Sequence, residues 1–201
     1  ELQMKKLNFK KKIKILDETK IRKYNLDNNS INLININYNQ EKAFQKISNK
    51  SNDYIENSFK LALNLIKKGI SDKLINGPIS KKNFLKKKYL GITEYLTKKT
   101  NKKKFAMLIY NSKISVCPIT THLPINDISK KLNKSLIKDK IFLINNFYKK
   151  FFGYKPMIAV TGLNPHCESI KKFNEDDKII KPAIKYLNEK GLKISGPYAA
   201  D

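Results

Sequence analysis

Apolar residues along the chain fall into two rhythms. Ile13 and Ile15 alternate with lysines, and Ile34, Ile36 and Tyr38 alternate with Asn35 and Asn37, the two-residue period of short, half-buried strands. From Asn52 the step lengthens. Ile55, Phe59, Ala62, Ile66 and Ile70 lie three or four residues apart and predict a helix closed by Gly69 at its C′ position. A strand is expected at about 73–75, running into the breaker Asn76-Gly77-Pro78. Segments 105–110 and 113–119 flank Asn111-Ser112 and read as a hairpin. Ile137, Ile141, Ile144, Tyr148 and Phe151 form a long stripe closed by Gly153, the signature of a helix covering a sheet face. Residues 156–160 are a compact apolar strand leading to Thr161-Gly162. Asn174 followed by Glu175, Asp176 and Asp177 predicts a helix start: a capping side chain, then acids at the positive end of the dipole. That helix should end at Gly191, with one more strand at 192–194. Strands alternating with helices at this spacing imply an α/β fold. No internal repeat or Gly/Ser-rich linker marks a domain boundary.

Composition narrows the class. A chain of 201 residues makes one large domain or two small ones, and 40% hydrophobic residues suffice for a core, which excludes wholesale disorder. No stretch approaches the roughly 18 apolar residues of a membrane span, and Glu1 begins no secretory signal. Cys117 and Cys167 cannot build a disulfide framework, so a reducing cytoplasm is the simpler compartment. The net charge of +25 points first to a polyanion. Yet Arg22 is the only arginine among 42 basic residues, and base reading favours the arginine fork. Lys, Asn and Ile are also the residues that A/T-rich codons supply. Solvated lysine faces and a true polyanion surface both remain open, with a nucleic-acid-binding module as the reading from a second functional class.

The residues able to carry chemistry are few. The chain has two histidines, each directly after an expected strand: His122 in Thr120-Thr121-His122-Leu123-Pro124 and His166 in Gly162-Leu163-Asn164-Pro165-His166. Asp201 follows the last expected strand through Gly196-Pro197. Ligand crevices of open α/β sheets lie outside the carboxyl ends of the strands, where these groups fall. Two imidazoles do not complete a zinc-type site, which takes three protein ligands. A further ligand would come from a carboxylate such as Asp201, from a partner chain or from residues outside this sequence. Asn76-Gly77-Pro78-Ile79-Ser80-Lys81 could hold an anion on free N–H groups and an ammonium, or be a plain turn. In Gly91-Ile92-Thr93-Glu94, Thr93 could cap a helix or touch substrate, capping being the default. Cys117 reads as core and Cys167 as an incidental small residue.

Taken together over residues 70–201, these motifs resemble the 4-hydroxythreonine-4-phosphate dehydrogenase family of vitamin B6 biosynthesis. The Thr-Thr-His-Leu-Pro and Gly-Leu-Asn-Pro-His pair is the most specific part; residues 1–69 resemble the family only in strand–helix order. The resemblance implies a two-domain α/β/α fold like that of isocitrate and isopropylmalate dehydrogenases, incomplete at both ends. It divides the chain into 1–90, part of the first domain, and 91–201, part of the second, dimerising and metal-binding one. It implies NAD- or NADP-dependent oxidation, with decarboxylation, of 4-phosphohydroxy-L-threonine to 3-amino-2-oxopropyl phosphate in the cytoplasm. A divalent metal (Zn, Mg or Co) would be held by histidines at a homodimer interface, His122 and His166 being two of the ligands. Thr93, Ile92 and Lys81 match substrate-binding positions, and Asp201 a catalytic acid near substrate and metal. Nucleic acid and membrane are not expected partners. Three departures stand out. Ile92 replaces the histidine of the family's Gly-His-Thr-Glu motif, so a paralogue acting on another phosphorylated hydroxy acid is kept in view. A Gly-rich opening segment is missing, Glu1 standing where a Met would start. The chain also stops before the family's third metal histidine. An internal fragment without a complete active site is the expectation.

Overall fold

The computed structural model describes residues 1–86, 88–170 and 173–200. It divides into two compact units, Glu1–Leu96 and Thr97–Asp201. Among the described residues no helix is long and apolar enough to cross a membrane.

The first unit opens with a short helix, α1 (Leu2–Lys6), and a two-stranded parallel pair, β1 (Ile13–Ile15) and β2 (Ile31–Leu33). Their register places Ile13 beside Ile31 and Ile15 beside Leu33. The alternation expected at Ile34, Ile36 and Tyr38 survives as burial, since these residues are half-buried while Asn35 and Asn37 are exposed. They form no ladder, however; the paired residues lie just upstream, at Ile31–Leu33. The helix expected from Asn52 is present as α2 (Asn52–Lys67), with Asp53 in its first turn and Gly69 at φ +69° beyond its end. The lone arginine finishes it: Arg22 Nη2 donates to the Lys68 carbonyl at 2.7 Å.

On the buried face of α2, Phe59 meets Tyr95 at 5.1 Å and Phe84 at 6.0 Å between ring centroids, and Leu85 completes this core. Phe84 and Leu85 arrive on a single wide turn, Lys81–Leu85, started by Ser80, whose hydroxyl accepts the Asn83 N–H at 3.3 Å. Tyr95 arrives on α3 (Ile92–Thr100) and donates its hydroxyl to Glu56 at 2.6 Å. The strand expected at 73–75 makes no ladder; Leu74 packs against this core while Ile75 is 97% exposed.

In the second unit, α4 (Ile125–Lys131) precedes the long α5 (Lys134–Phe152), capped by Asn133 Oδ1 on the Leu136 N–H at 2.9 Å and ended by Gly153 at φ +77°. β3 (Met157–Thr161) and β4 (Lys193–Tyr198) run parallel, Ile158 beside Ile194, joined through a wide turn at Asp176–Ile180 and helix α6 (Lys181–Glu189). Ile137 and Ile141 of α5 pack with Ala183, Ile184 and Leu187 of α6 onto Ile194, with Ile158 and Val160 against them. β3 thus alternates inward and outward; Met157 on its outer face is 86% exposed.

Two expectations are corrected in this unit. The hairpin at 105–119 reduces to one antiparallel bridge, Ile109 with Val116; both bridged residues and the turn 110–114 between them are exposed, so no burial supports a longer ladder there. The last strand does not stop at Ile194 before a Gly-Pro turn. It continues through Gly196 and Pro197 to Tyr198, with a ladder irregularity between Ala159 and Thr161. Gly196, at φ +119°, makes that possible, since a Cβ there would lie 2.3 Å from the Val160 carbonyl oxygen.

Candidate functional site

His122 and His166 both belong to the second unit and both are exposed. The segment ending in His122 is anchored at Ile119 and the strand before His166 at Ile158 and Val160, all packed on one hydrophobic core. His122 therefore follows a core-anchored segment rather than a regular strand, correcting that part of the sequence reading. His166 does follow a strand, β3, within the turn Pro165–Cys167.

Both histidines belong to the small group of described non-glycine residues on left-handed backbone, with Asn8, Lys86, Asn101 and Cys167. His122 has φ +56° and His166 φ +53°, followed by Cys167 at φ +60°. For a residue with a Cβ the left-handed region costs about 1–2 kcal/mol, so it persists only where the surroundings hold it, and such positions cluster at functional sites. On the His122 side, Thr120 and Thr121 precede and Pro124 directly starts α4. On the His166 side, Cys167 N–H donates to the Asn164 carbonyl at 3.0 Å and Glu168 N–H to the Pro165 carbonyl at 3.1 Å, closing the turn.

Beneath that turn lies a group the sequence reading did not single out. Asp176, read there as one of three acids at a helix start, is completely buried. Its Oδ1 accepts the Leu163 N–H at 2.8 Å, and its Oδ2 accepts the Asn164 N–H at 3.0 Å and the Asn164 side-chain amide at 2.9 Å. Asn174 does cap as expected, its Oδ1 accepting the Asp176 N–H at 2.8 Å. Asp177 stays at the surface in an ion pair with Lys181 at 2.6 Å, which holds the Lys181 ammonium above the usual lysine range. Local patterning carries no sign of the buried carboxylate, because its donors lie twelve and thirteen residues upstream.

The substrate candidates belong to the first unit. Lys81 is exposed at the start of the wide turn. Beside that turn is a cavity of about 530 Å³ bounded by Tyr38, Phe44, Asn52, Ile79 and Ser80 among others. The Asn52 Oδ1 atom on its wall is buried without a hydrogen-bond partner. Ile92 is the first residue of α3 and packs, half-buried, against the Phe59–Tyr95 core. Thr93 lies within the first turn of α3, not at its cap, which corrects the default reading of that threonine. Asp201 lies outside the described residues.

Cys117 is half-buried, and burial pushes its thiol above the usual range against the opposing pull of the Lys140 ammonium, as suits a packing residue. Neutral imidazoles suit a borderline divalent cation. Among the described residues, however, no three His, Cys, Asp or Glu side chains gather in a group able to hold one.

A model of the family described as "Pyridoxal phosphate biosynthetic protein PdxA" matches residues 2–201. A 4-hydroxythreonine-4-phosphate dehydrogenase of a Sulfurihydrogenibium species is 37% identical over 175 residues, 85% of this chain and 53% of that protein. A D-threonate 4-phosphate dehydrogenase of Pectobacterium atrosepticum is 32% identical over 114 residues, 56% of this chain and 35% of that protein. Among solved structures, a 4-hydroxythreonine-4-phosphate dehydrogenase from Burkholderia phymatum superposes with a TM-score of 0.79 at 26% identity, over 98% of this chain and 61% of that one. The chain spans about half the length of the first of these relatives.

Proposed function

The chain belongs to the PdxA family of pyridoxal phosphate biosynthetic proteins, and on that premise we propose that the protein is an NAD- or NADP-dependent dehydrogenase of 4-phosphohydroxy-L-threonine. The secondary alcohol is oxidised, and the β-keto acid so formed loses CO₂ to give 3-amino-2-oxopropyl phosphate. The observation that carries this reading is the placement of the only two histidines. Each sits in a family motif, on left-handed backbone, at the end of a segment anchored in one core.

In this reading His122 and His166 supply two ligands to a divalent cation (zinc, magnesium or cobalt), the rest of the set lying beyond the described residues. When bound, that cation would polarise the alcohol oxygen of the substrate. A bound nicotinamide cofactor would supply the hydride acceptor. Lys81, an exposed ammonium at the end of the Gly-Pro-Ile-Ser motif, pairs with substrate anion. Thr93 offers its hydroxyl to a substrate oxygen, Ile92 lines the same region with an aliphatic face, and Asp201 serves as the acid beside the reacting carbons. The protein works in the cytoplasm as a homodimer with a shared site, on the two-domain α/β/α scaffold of isocitrate and isopropylmalate dehydrogenases. Residues 91–201 belong to the dimerising, metal-binding part.

A second substrate of the same class is favoured by one feature. Ile92 turns into a hydrophobic core where the resemblance expects a polar contact, and a D-threonate 4-phosphate dehydrogenase is among the relatives. The substrate would then be a phosphorylated hydroxy acid without the amine. Following reduction of NAD by the full-length protein with either phosphorylated acid decides between them. His122→Ala and His166→Ala should each abolish turnover mainly through kcat. Normal kcat in either variant would refute the roles given to the histidines, and tight, salt-sensitive RNA or DNA binding without NAD reduction would favour the basic binding module instead.

A further inference from the structure

We propose that Asp176 is the positioning residue for His166: a buried carboxylate that fixes the backbone from which the imidazole projects. The inference rests on the reading above only in giving His166 a task; the clamp itself stands on geometry.

Asp176 is 0% exposed. A carboxylate without access to water is strongly destabilising unless its lone pairs are met by donors. Here they are met from one place, the stretch just beyond β3. The amide N–H groups of Leu163 and Asn164 donate to different oxygens of the carboxylate, at 2.8 and 3.0 Å. Two consecutive N–H groups on the two oxygens of one rigid group determine the orientation of both peptide planes. The Asn164 side chain adds a third donor at 2.9 Å and reaches Glu175 Oε2 at 3.1 Å as well.

From Asn164 onward little freedom remains before the histidine. Pro165 locks its own φ, and His166 and Cys167 then occupy left-handed backbone at φ +53° and +60°. Cys167 is braced from below: a Cβ on Gly162 would lie 2.6 Å from its Sγ and 2.8 Å from Asp176 Oδ1, so the glycine lets thiol, carboxylate and loop close together. Two successive strained residues persist only when neighbours over-determine them. The carboxylate, the proline and the thiol do that here. A ligand or catalytic side chain gains from being held before its partner arrives, since small misplacements are costly.

The test compares Asp176→Asn with the full-length wild-type protein. Asparagine keeps the shape but turns one of the two acceptor oxygens into a donor, so whichever way it turns one of the N–H groups at 163–164 faces another donor. The expected result is a shifted His166 imidazole signal in histidine-labelled NMR spectra, with the His122 signal in place. Backbone exchange at Leu163 and Asn164 should accelerate by about a hundredfold while α5 and β4 keep their protection. In the active enzyme kcat should fall about tenfold or more, with the KM for the nicotinamide cofactor unchanged. Asp177→Asn changes the surface pair with Lys181 and a long contact from the Asn174 side-chain amide at 3.4 Å but leaves the Asp176 carboxylate and its Leu163 and Asn164 donors intact, and should leave the His166 signal in place.

A folded Asp176→Asn protein with an unmoved His166 signal and protected 163–164 amides overturns the proposal. Should that variant fail to fold, Asn164→Ala removes one donor and leaves the carboxylate. It should move the His166 signal in the same direction, and an unmoved signal overturns the proposal equally. If the wild-type protein reduces no NAD with either phosphorylated acid, the functional reading fails instead, while the NMR and exchange results still decide the role of Asp176.

Discussion

Asn188 pairs with the backbone of Ile194 as a neighbouring strand would: its side-chain amide donates to the Ile194 carbonyl at 2.9 Å and its Oδ1 accepts the Ile194 N–H at 3.1 Å. Ile194 is in register with Ile158 of β3, so a side chain at the end of α6 meets backbone groups of β4 that its own ladder leaves unpaired. Removing it leaves a donor and an acceptor without partners beside a buried isoleucine. Asn188→Ala should therefore destabilise the fold by about 1–3 kcal/mol, read as a lower urea midpoint with an unchanged m-value.

Gly196 and Gly191 give a paired test of close approach. Both have positive φ, but a Cβ on Gly191 would meet nothing within 4 Å, whereas one on Gly196 would meet the Val160 carbonyl oxygen at 2.3 Å. Gly191→Ala should cost about 1 kcal/mol, from backbone conformation alone. Gly196→Ala should cost several-fold more because β3 and β4 must separate. Comparable thermal midpoints for the two variants would contradict the strand geometry.

Tyr95 supplies a pH dependence. Burial, then the hydrogen bond to Glu56 and the nearby charges of Glu56 and Tyr89, raise its phenol well above the usual range. The native state keeps the phenolic proton at a pH where the unfolded chain, with a pKa of about 10, releases it. The stability from this group is thus complete below about pH 10 and is lost as the pH rises beyond it. Tyr95→Phe should be less stable at neutral pH by about 1 kcal/mol, the lost hydrogen bond, and should lose less on further alkalinisation. Parallel unfolding midpoints for the two proteins across that range would rule this out.

Ile92→His tests the substrate. Exchanging a half-buried aliphatic group at the edge of the Phe59–Tyr95 core for imidazole should lower stability by about 1 kcal/mol. If the position faces the amine-bearing substrate, kcat/KM for 4-phosphohydroxy-L-threonine should nonetheless rise. Steady-state assays on both phosphorylated acids should give a changed ratio; an unchanged one would mean that residue 92 serves only the core.

Helices were the most legible part of the sequence. The spacing of Ile55, Phe59, Ala62 and Ile66 foretold α2, and the stripe from Ile137 to Phe151 foretold α5, because an amphipathic helix records its buried face in every turn. Short extended segments were less so. The residues at 73–75 and 113–119 have strand-like composition but not the ladders, since pairing depends on a partner distant in sequence. The candidate site divides in the same way. His122 and His166 were visible as the only two imidazoles in the chain. Their left-handed backbone and the carboxylate under one of them were not.

What the linear order of residues determined by itself was periodicity, helix ends and the motifs that carry the family likeness, all of them properties of near neighbours. What only the tertiary structure decided was which of three consecutive acids goes inside. Glu175, Asp176 and Asp177 are chemically almost alike, yet Asp176 alone is completely buried. Helix geometry turns that side chain toward the end of β3, where the Leu163 and Asn164 amides would otherwise be left without acceptors.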